Sequence, residues 1–189
     1  MCGIVGYVGQ RDCTDVLMQG LEKLEYRGYD SAGIAVFEKT GIKTVKTKGK
    51  LADMRHKLDI EGSPVGHCGI GHTRWATHGE PSDINSHPHT NGRVTIVHNG
   101  IIENYIELKE FLTEKGYTFT SQTDTEVVAC LLDYYYSERN PLRAITETLK
   151  ELKGSYALGI IFRDFPDRVY ATRKESPLIV GIGELSLIH

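Results

Sequence analysis

Cys2 follows the initiator methionine directly in the stretch MCGIVGYVG. A small side chain there permits methionine removal, which would leave a thiol and a free α-amine on one residue. The amine titrates at roughly 7.7–8.0 and a free thiol at roughly 8.5, so near neutral pH the amine can accept the thiol proton. Nucleophile and general base would then share a residue, as in N-terminal nucleophiles. The alternative is a small buried cysteine after an incidental methionine.

Three further stretches carry groups that suit such a nucleophile. In LEYRGYDSAG, residues 24–33, polar side chains crowd between two apolar segments, where burying Arg27 and Asp30 unpaired would be costly. In GHTRWATHG, residues 71–79, the chain's single tryptophan, Trp75, stands beside Arg74, whose guanidinium could grip a carboxylate with two hydrogen bonds. In HNG, residues 98–100, the Asn99 amide and the unhindered N–H of Gly100 could point at one oxygen, as an oxyanion hole requires. Read singly, Arg74 equally serves a structural ion pair, Asn99-Gly100 a turn, and Asp124 the N-terminal cap of a helix starting at Thr125.

The elements that must position these groups follow from hydrophobic spacing. Residues 3–8 read as a strand. Asp12 opens a helix whose face is Leu17, Leu21 and Leu24 and which Gly28 ends. Residues 32–37 and 42–48 read as strands joined by a turn, and Leu51, Met54 and Leu58 mark a short helix packed on the core. Strands are predicted over 66–73 and 93–98, separated by a Gly-, Pro-, Asn- and His-rich segment too long for a tight hairpin, hence a functional loop. A helix through Tyr105, Leu108, Phe111 and Leu112 stops at Gly116, a second begins at the capping-box pattern of residues 123–126, and Pro141 opens a third. Strands over 156–162, 168–173 and 178–182 close the chain. Strands, then grouped helices, then strands predict a layered α+β fold with antiparallel sheets.

Composition narrows the class. The chain has 189 residues, enough for one domain with a real core, and a net charge of −3, which gives no electrostatic case for nucleic acid or an acidic membrane. No apolar run approaches a membrane span. Cys2, Cys13, Cys68 and Cys130 are scattered without CxxC spacing, which fits a reduced, cytoplasmic setting, with the last three as packing residues. His72, His78, His87, His89 and His98 match no zinc pattern, so no metal or other cofactor is expected, and His87 and His89 read as hydrogen-bonding residues that order their loop.

In order, MCGIVGYVG, LEYRGYDSAG, GHTRWATHGEP, SHPH, HNGIIEN and TDTEV resemble the glutaminase domain of class II, or N-terminal nucleophile, glutamine amidotransferases. The likeness runs from Met1 to about Val180, and HTRWATHG together with LEYRGYDSAG narrows it to the branch that aminates fructose 6-phosphate. The resemblance implies a four-layer αββα sandwich of two mainly antiparallel sheets. It implies hydrolysis of L-glutamine to glutamate and ammonia through a thioester on Cys2. Asn99 and Gly100 would form the oxyanion hole and Arg27 would orient the nucleophile. Arg74, Thr77 and His78 would bind the α-carboxylate, Asp124 the α-ammonium group, and Trp75 would sit on a loop closing over the substrate. In the full-length enzyme, expected to be a homo-oligomer, the ammonia passes to sugar-isomerase domains that make glucosamine 6-phosphate. Residues 183–189 leave the family pattern, so residues 1–189 are expected to form a glutaminase domain incomplete at its C-terminus, without its last strands and without isomerase domains. Two other readings remain: a stand-alone N-terminal-nucleophile amidohydrolase for another amide, and a non-catalytic remnant that binds glutamine.

Overall fold

A computed structural model describes residues 2–75 and 79–182, except for the Arg27 side chain. Two four-stranded antiparallel sheets face each other between two layers of helix. The first has the order β1-β4-β2-β3, from β1 (Gly3–Val8), β4 (Cys68–Arg74), β2 (Ser31–Glu38) and β3 (Gly41–Lys48). The second has the order β5-β6-β7-β8, from β5 (His89–Asn91), β6 (Val94–Ile102), β7 (Gly154–Phe162) and β8 (Tyr170–Lys174).

Alternation along the strands supplies both faces of each sheet. Ile34 and Val36 of β2 turn outward, with Val5 and Tyr7 of β1, onto α1 (Cys13–Leu24) and α2 (Leu51–Glu61). Ala35 and Phe37, between them in sequence, turn inward to meet Ile70, Val97 and Ile161 in the layer between the sheets. On the second sheet, Leu158, Ile160 and Phe162 pack outward against α3 (Tyr105–Glu114), α4 (Asp124–Tyr135) and α5 (Pro141–Glu151). The result is the expected αββα order, built on three apolar clusters.

Local signals account for most boundaries. The Asp12 side chain accepts the Asp15 N–H at 3.2 Å to start α1, and Asn140 accepts that of Arg143 at 3.1 Å ahead of Pro141 in α5. Several expectations need correction. Gly28 does not end α1. The helix stops at Leu24 and continues as a 3₁₀ turn, Glu25–Arg27, and Gly28 is extended with φ −167°. Its glycine identity serves close approach instead, since a Cβ would stand 2.7 Å from the carbonyl carbon of Arg74. β6 runs past His98 to Ile102, so Asn99 and Gly100 belong to a strand rather than a turn. Residues 178–182 form no strand; among the described residues none pairs with them, and Ile179 and Val180 are exposed. The helix cap at α4 is Thr123, with Asp124 already in the first turn. The capping box there is half made. Thr123 Oγ1 accepts the Glu126 N–H, but the Glu126 carboxylate turns to the N–H and hydroxyl groups of Thr120 and Ser121. Among the described residues no helix is long and apolar enough to cross a membrane.

Candidate active site

The register of the first sheet gathers the chemistry-bearing residues. β4 lies between β1 and β2, with Gly3 opposite Thr73 on one side and Ser31 opposite Arg74 on the other. The start of β1, the start of β2 and the end of β4 therefore meet at one corner, carrying Cys2, Asp30 and Arg74. The Asp30 N–H donates to the Arg74 carbonyl at 3.2 Å and closes that corner.

Cys2 Sγ is held by the backbone of Trp75, accepting its N–H at 3.2 Å and lying 3.5 Å from its carbonyl oxygen. Burial raises the Cys2 thiol above its ordinary range; the Trp75 N–H and the Arg74 charge pull it down and Asp30 pushes it up. A raised thiol holds little thiolate at neutral pH, so attack requires a base on the spot.

The second sheet supplies the facing wall. The Asn99 Nδ2 of β6 donates to the Cys2 carbonyl at 3.1 Å, joining the two sheets at the nucleophile. Gly100 has φ +122°, and a Cβ there would drive into the Ser155 carbonyl of β7, so only glycine fits at this position. Beyond β6, Asp124 opens α4, and its Oδ2 accepts the Ile102 N–H at 2.9 Å. Its carboxylate stands in the first helical turn, where the helix dipole favours negative charge. Arg74 is buried and donates through Nη2 to the Gly79 carbonyl at 3.0 Å. Burial lowers its pKa, while Asp30, Cys2 and Asp124 act to keep it charged.

Cys2, Arg74, Trp75, Asn99, Gly100 and Asp124 all line one cavity of about 700 Å³, within the roughly 300–1,000 Å³ typical of small-molecule sites. It offers an anion partner, a cation partner, and two N–H donors beside a thiol. Arg27 belongs to the 3₁₀ turn, but its side chain lies outside the described residues, as do Thr77 and His78 entirely. In the same wall His87 Nε2 lies 2.7 Å and His98 Nδ1 3.0 Å from Thr125 Oγ1, and Thr123 Oγ1 lies 3.1 Å from His89 Nε2. His87 and His89 thus tie their loop to the first turn of α4. Among the described residues no group of three or more His, Cys, Asp or Glu is arranged to hold a metal ion. Sequence reasoning missed His72, whose Nε2 lies 2.9 Å from Asn99 Oδ1. Its place in GHTRW, two residues before Arg74 on the same strand face, was the only signal.

Two facing antiparallel sheets between helical layers, with a cysteine heading the edge strand β1, define the N-terminal-nucleophile amidotransferase class. Residues 72–184 match the profile of the glutamine amidotransferase domain, and the chain belongs to that family. It is similar to the glutamine–fructose-6-phosphate aminotransferases (isomerizing) of Clostridium perfringens and Clostridium tetani, at 60% and 58% identity over 186 residues. Each match covers 97% of this chain, and the chain spans 30% of the length of these curated relatives. Among solved structures, glutamine phosphoribosylpyrophosphate amidotransferase from B. subtilis, complexed with ADP and GMP, superposes with TM-score 0.74 at 27% identity, covering 86% of this chain and 35% of that one.

Proposed function

We propose that this chain is a glutaminase domain that splits L-glutamine into glutamate and ammonia. With Met1 removed, the α-amine of Cys2 takes the proton from its own Sγ, directly or through a water. Sγ then bonds to the side-chain amide carbon, and the carbonyl electron pair moves onto oxygen, where Asn99 Nδ2 and the Gly100 N–H receive it. Collapse of that intermediate breaks the C–N bond. The α-ammonium returns its proton to the departing nitrogen, which leaves as ammonia. Water, deprotonated by the same amine, then splits the thioester and frees glutamate. Arg74 grips the α-carboxylate, aided by Thr77 and His78, Asp124 pairs with the α-ammonium group, Trp75 covers the substrate and Arg27 orients the nucleophile end.

One observation supports this reading above the rest: Cys2, Asn99, Gly100 and two residues of opposite charge, Arg74 and Asp124, line a single cavity. The raised Cys2 thiol supports the need for an internal base. The relatives' names support a destination for the ammonia, amination of fructose 6-phosphate in a longer enzyme of which this chain spans 30%. Four free cysteines suit a reducing, cytoplasmic setting. The test is turnover: equal amounts of glutamate and ammonia from glutamine, abolished in Cys2→Ala, with asparagine and simple amides turned over far more slowly. Equal rates on those other amides, or activity surviving Cys2→Ala, would refute it.

A further inference from the structure

His72 is buried in β4 and reaches across to β6. Its Nε2 lies 2.9 Å from the His98 carbonyl oxygen and 2.9 Å from Asn99 Oδ1. The partners dictate where the hydrogens are. The Cys2 carbonyl is an acceptor 3.1 Å from the Asn99 amide, so the amide nitrogen faces it and the amide oxygen faces His72. Both atoms around His72 Nε2 are then acceptors, so Nε2 carries the ring hydrogen. Burial pushes His72 down to about 3, against the opposing pull of its bonds to Asn99 and His98, so the ring is neutral at neutral pH and holds one hydrogen.

The backbone of Asn99 is pinned in β6, opposite Ala157 of β7, which leaves the side-chain torsions as the freedom of its amide. Turned over, that amide would set Oδ1 against the Cys2 carbonyl and present a lone pair to any oxyanion in the cavity. Nothing about an isolated asparagine forbids this. Two neighbours do: the Cys2 carbonyl, an acceptor that would meet Oδ1, and the His72 N–H, which has no favourable contact with an NH₂ group. The bond to the His98 carbonyl holds the imidazole itself in place, and the His87 ring packs beside it with centroids 4.1 Å apart.

We propose that His72 is a positioning residue of the oxyanion hole, its Nε2–H locking the Asn99 amide in the orientation that turns Nδ2 toward the nucleophile. The inference rests on the glutaminase reading, which gives the Asn99 NH₂ its role. His72 itself does not line the cavity.

The first measurement needs no substrate: two-bond ¹H–¹⁵N correlation of the histidines in the ¹⁵N-labelled native chain. His72 is expected as the Nε2–H tautomer at pH 7; a Nδ1–H tautomer overturns the lock whether or not glutamine is hydrolysed. A native chain that shows the tautomer but hydrolyses nothing refutes the glutaminase reading instead. In the active chain, His72→Leu should lower kcat about 10- to 100-fold with KM nearly unchanged, short of the roughly 10²–10³-fold loss for removing a donor outright. Alkylation of Cys2 by iodoacetamide, which develops no oxyanion, should keep its rate. His72→Gln, whose amide N–H can stand in for Nε2–H, should recover most of kcat. In an Asn99→Ala background, His72→Leu should cost nothing further. An unchanged kcat in His72→Leu, an equal slowing of alkylation, or additivity with Asn99→Ala overturns the proposal.

Discussion

Lowering the pH from 7 to 5 is expected to cost this domain about 6 kcal/mol of stability, through three buried rings at the candidate active site, His72, His87 and His89. His72, His87 and His89 are buried, and burial is the main cause that holds His72 down to about 3 and the other two well below their ordinary range. Their neighbours reinforce this. Arg74 faces all three, Lys46 faces His89, and His98 faces His72 and His87. In the unfolded chain each ring titrates near 6.5, so below that pH the unfolded state binds more protons and stability falls. The contribution is whole above about pH 6.5 and is lost as pH drops toward the folded-state values. At pH 5 each neutral ring costs about 2 kcal/mol relative to the unfolded state, or about 6 kcal/mol for the three. That is comparable with the ~5–15 kcal/mol total of a typical domain. Glu126 and Asp83, whose folded values are lowered, act in the same direction but only below about pH 4.5, which leaves the window from 6.5 to 5 to the histidines. The assay is urea unfolding followed by far-UV circular dichroism at half-unit pH steps. The slope should approach about 4 kcal/mol per pH unit near pH 5, three protons per molecule. Stability flat to within about 1 kcal/mol over that window would refute three neutral buried rings. An acid limb of activity above pH 5 would then belong to chemistry rather than to loss of the fold.

Gly100→Ala should destabilise the domain by at least about 2 kcal/mol in the same urea assay, because alanine at φ +122° is strained and its Cβ meets the Ser155 carbonyl. Native-like stability there would mean the strand relaxes around it. Glu126→Gln should cost about 1.5–3 kcal/mol, since an uncharged amide cannot accept all four hydrogen bonds from Thr120 and Ser121; a thermal melt reads it, and no shift would show that those bonds contribute nothing net. Arg74→Lys should raise KM for glutamine at least ~10-fold, because an ammonium cannot form the two-point grip on a carboxylate. An unchanged KM in steady-state kinetics would remove Arg74 from substrate binding.

Much of this arrangement is legible in the sequence because polar clusters interrupt otherwise apolar strands. Arg74 and Asp124 stand out as charges beside buried segments, and Cys2 stands out by position. The element order predicts layered α+β, whereas the four-layer αββα order is implied by the family resemblance; the burial of both faces of β2 and β7 shows why the sheets stack. What escaped the sequence depends on long-range neighbours. β6 extends through Asn99-Gly100 because β7 pairs with it as far as Gly154, which no local propensity encodes. Residues 178–182 have strand composition but no partner strand among the described residues. The three residues of β5 are too few for a period and exist only by pairing with β6. Gly28 reads as a helix stop, yet it is required by the Arg74 backbone, 46 positions further along. The capping role first open to Asp124 falls to Thr123, and that leaves the Asp124 carboxylate on the cavity wall.

The claim on which all else depends is that one residue supplies both the attacking sulfur and the nitrogen that deprotonates it. Intact mass spectrometry of the purified chain, before and after treatment with a diazoketone analogue of glutamine, tests it most directly. The account predicts a mass lacking Met1, then a single adduct mapped to Cys2 and suppressed by excess glutamine. A chain that retains Met1, or an adduct on Cys13, Cys68 or Cys130 in place of Cys2, would contradict it.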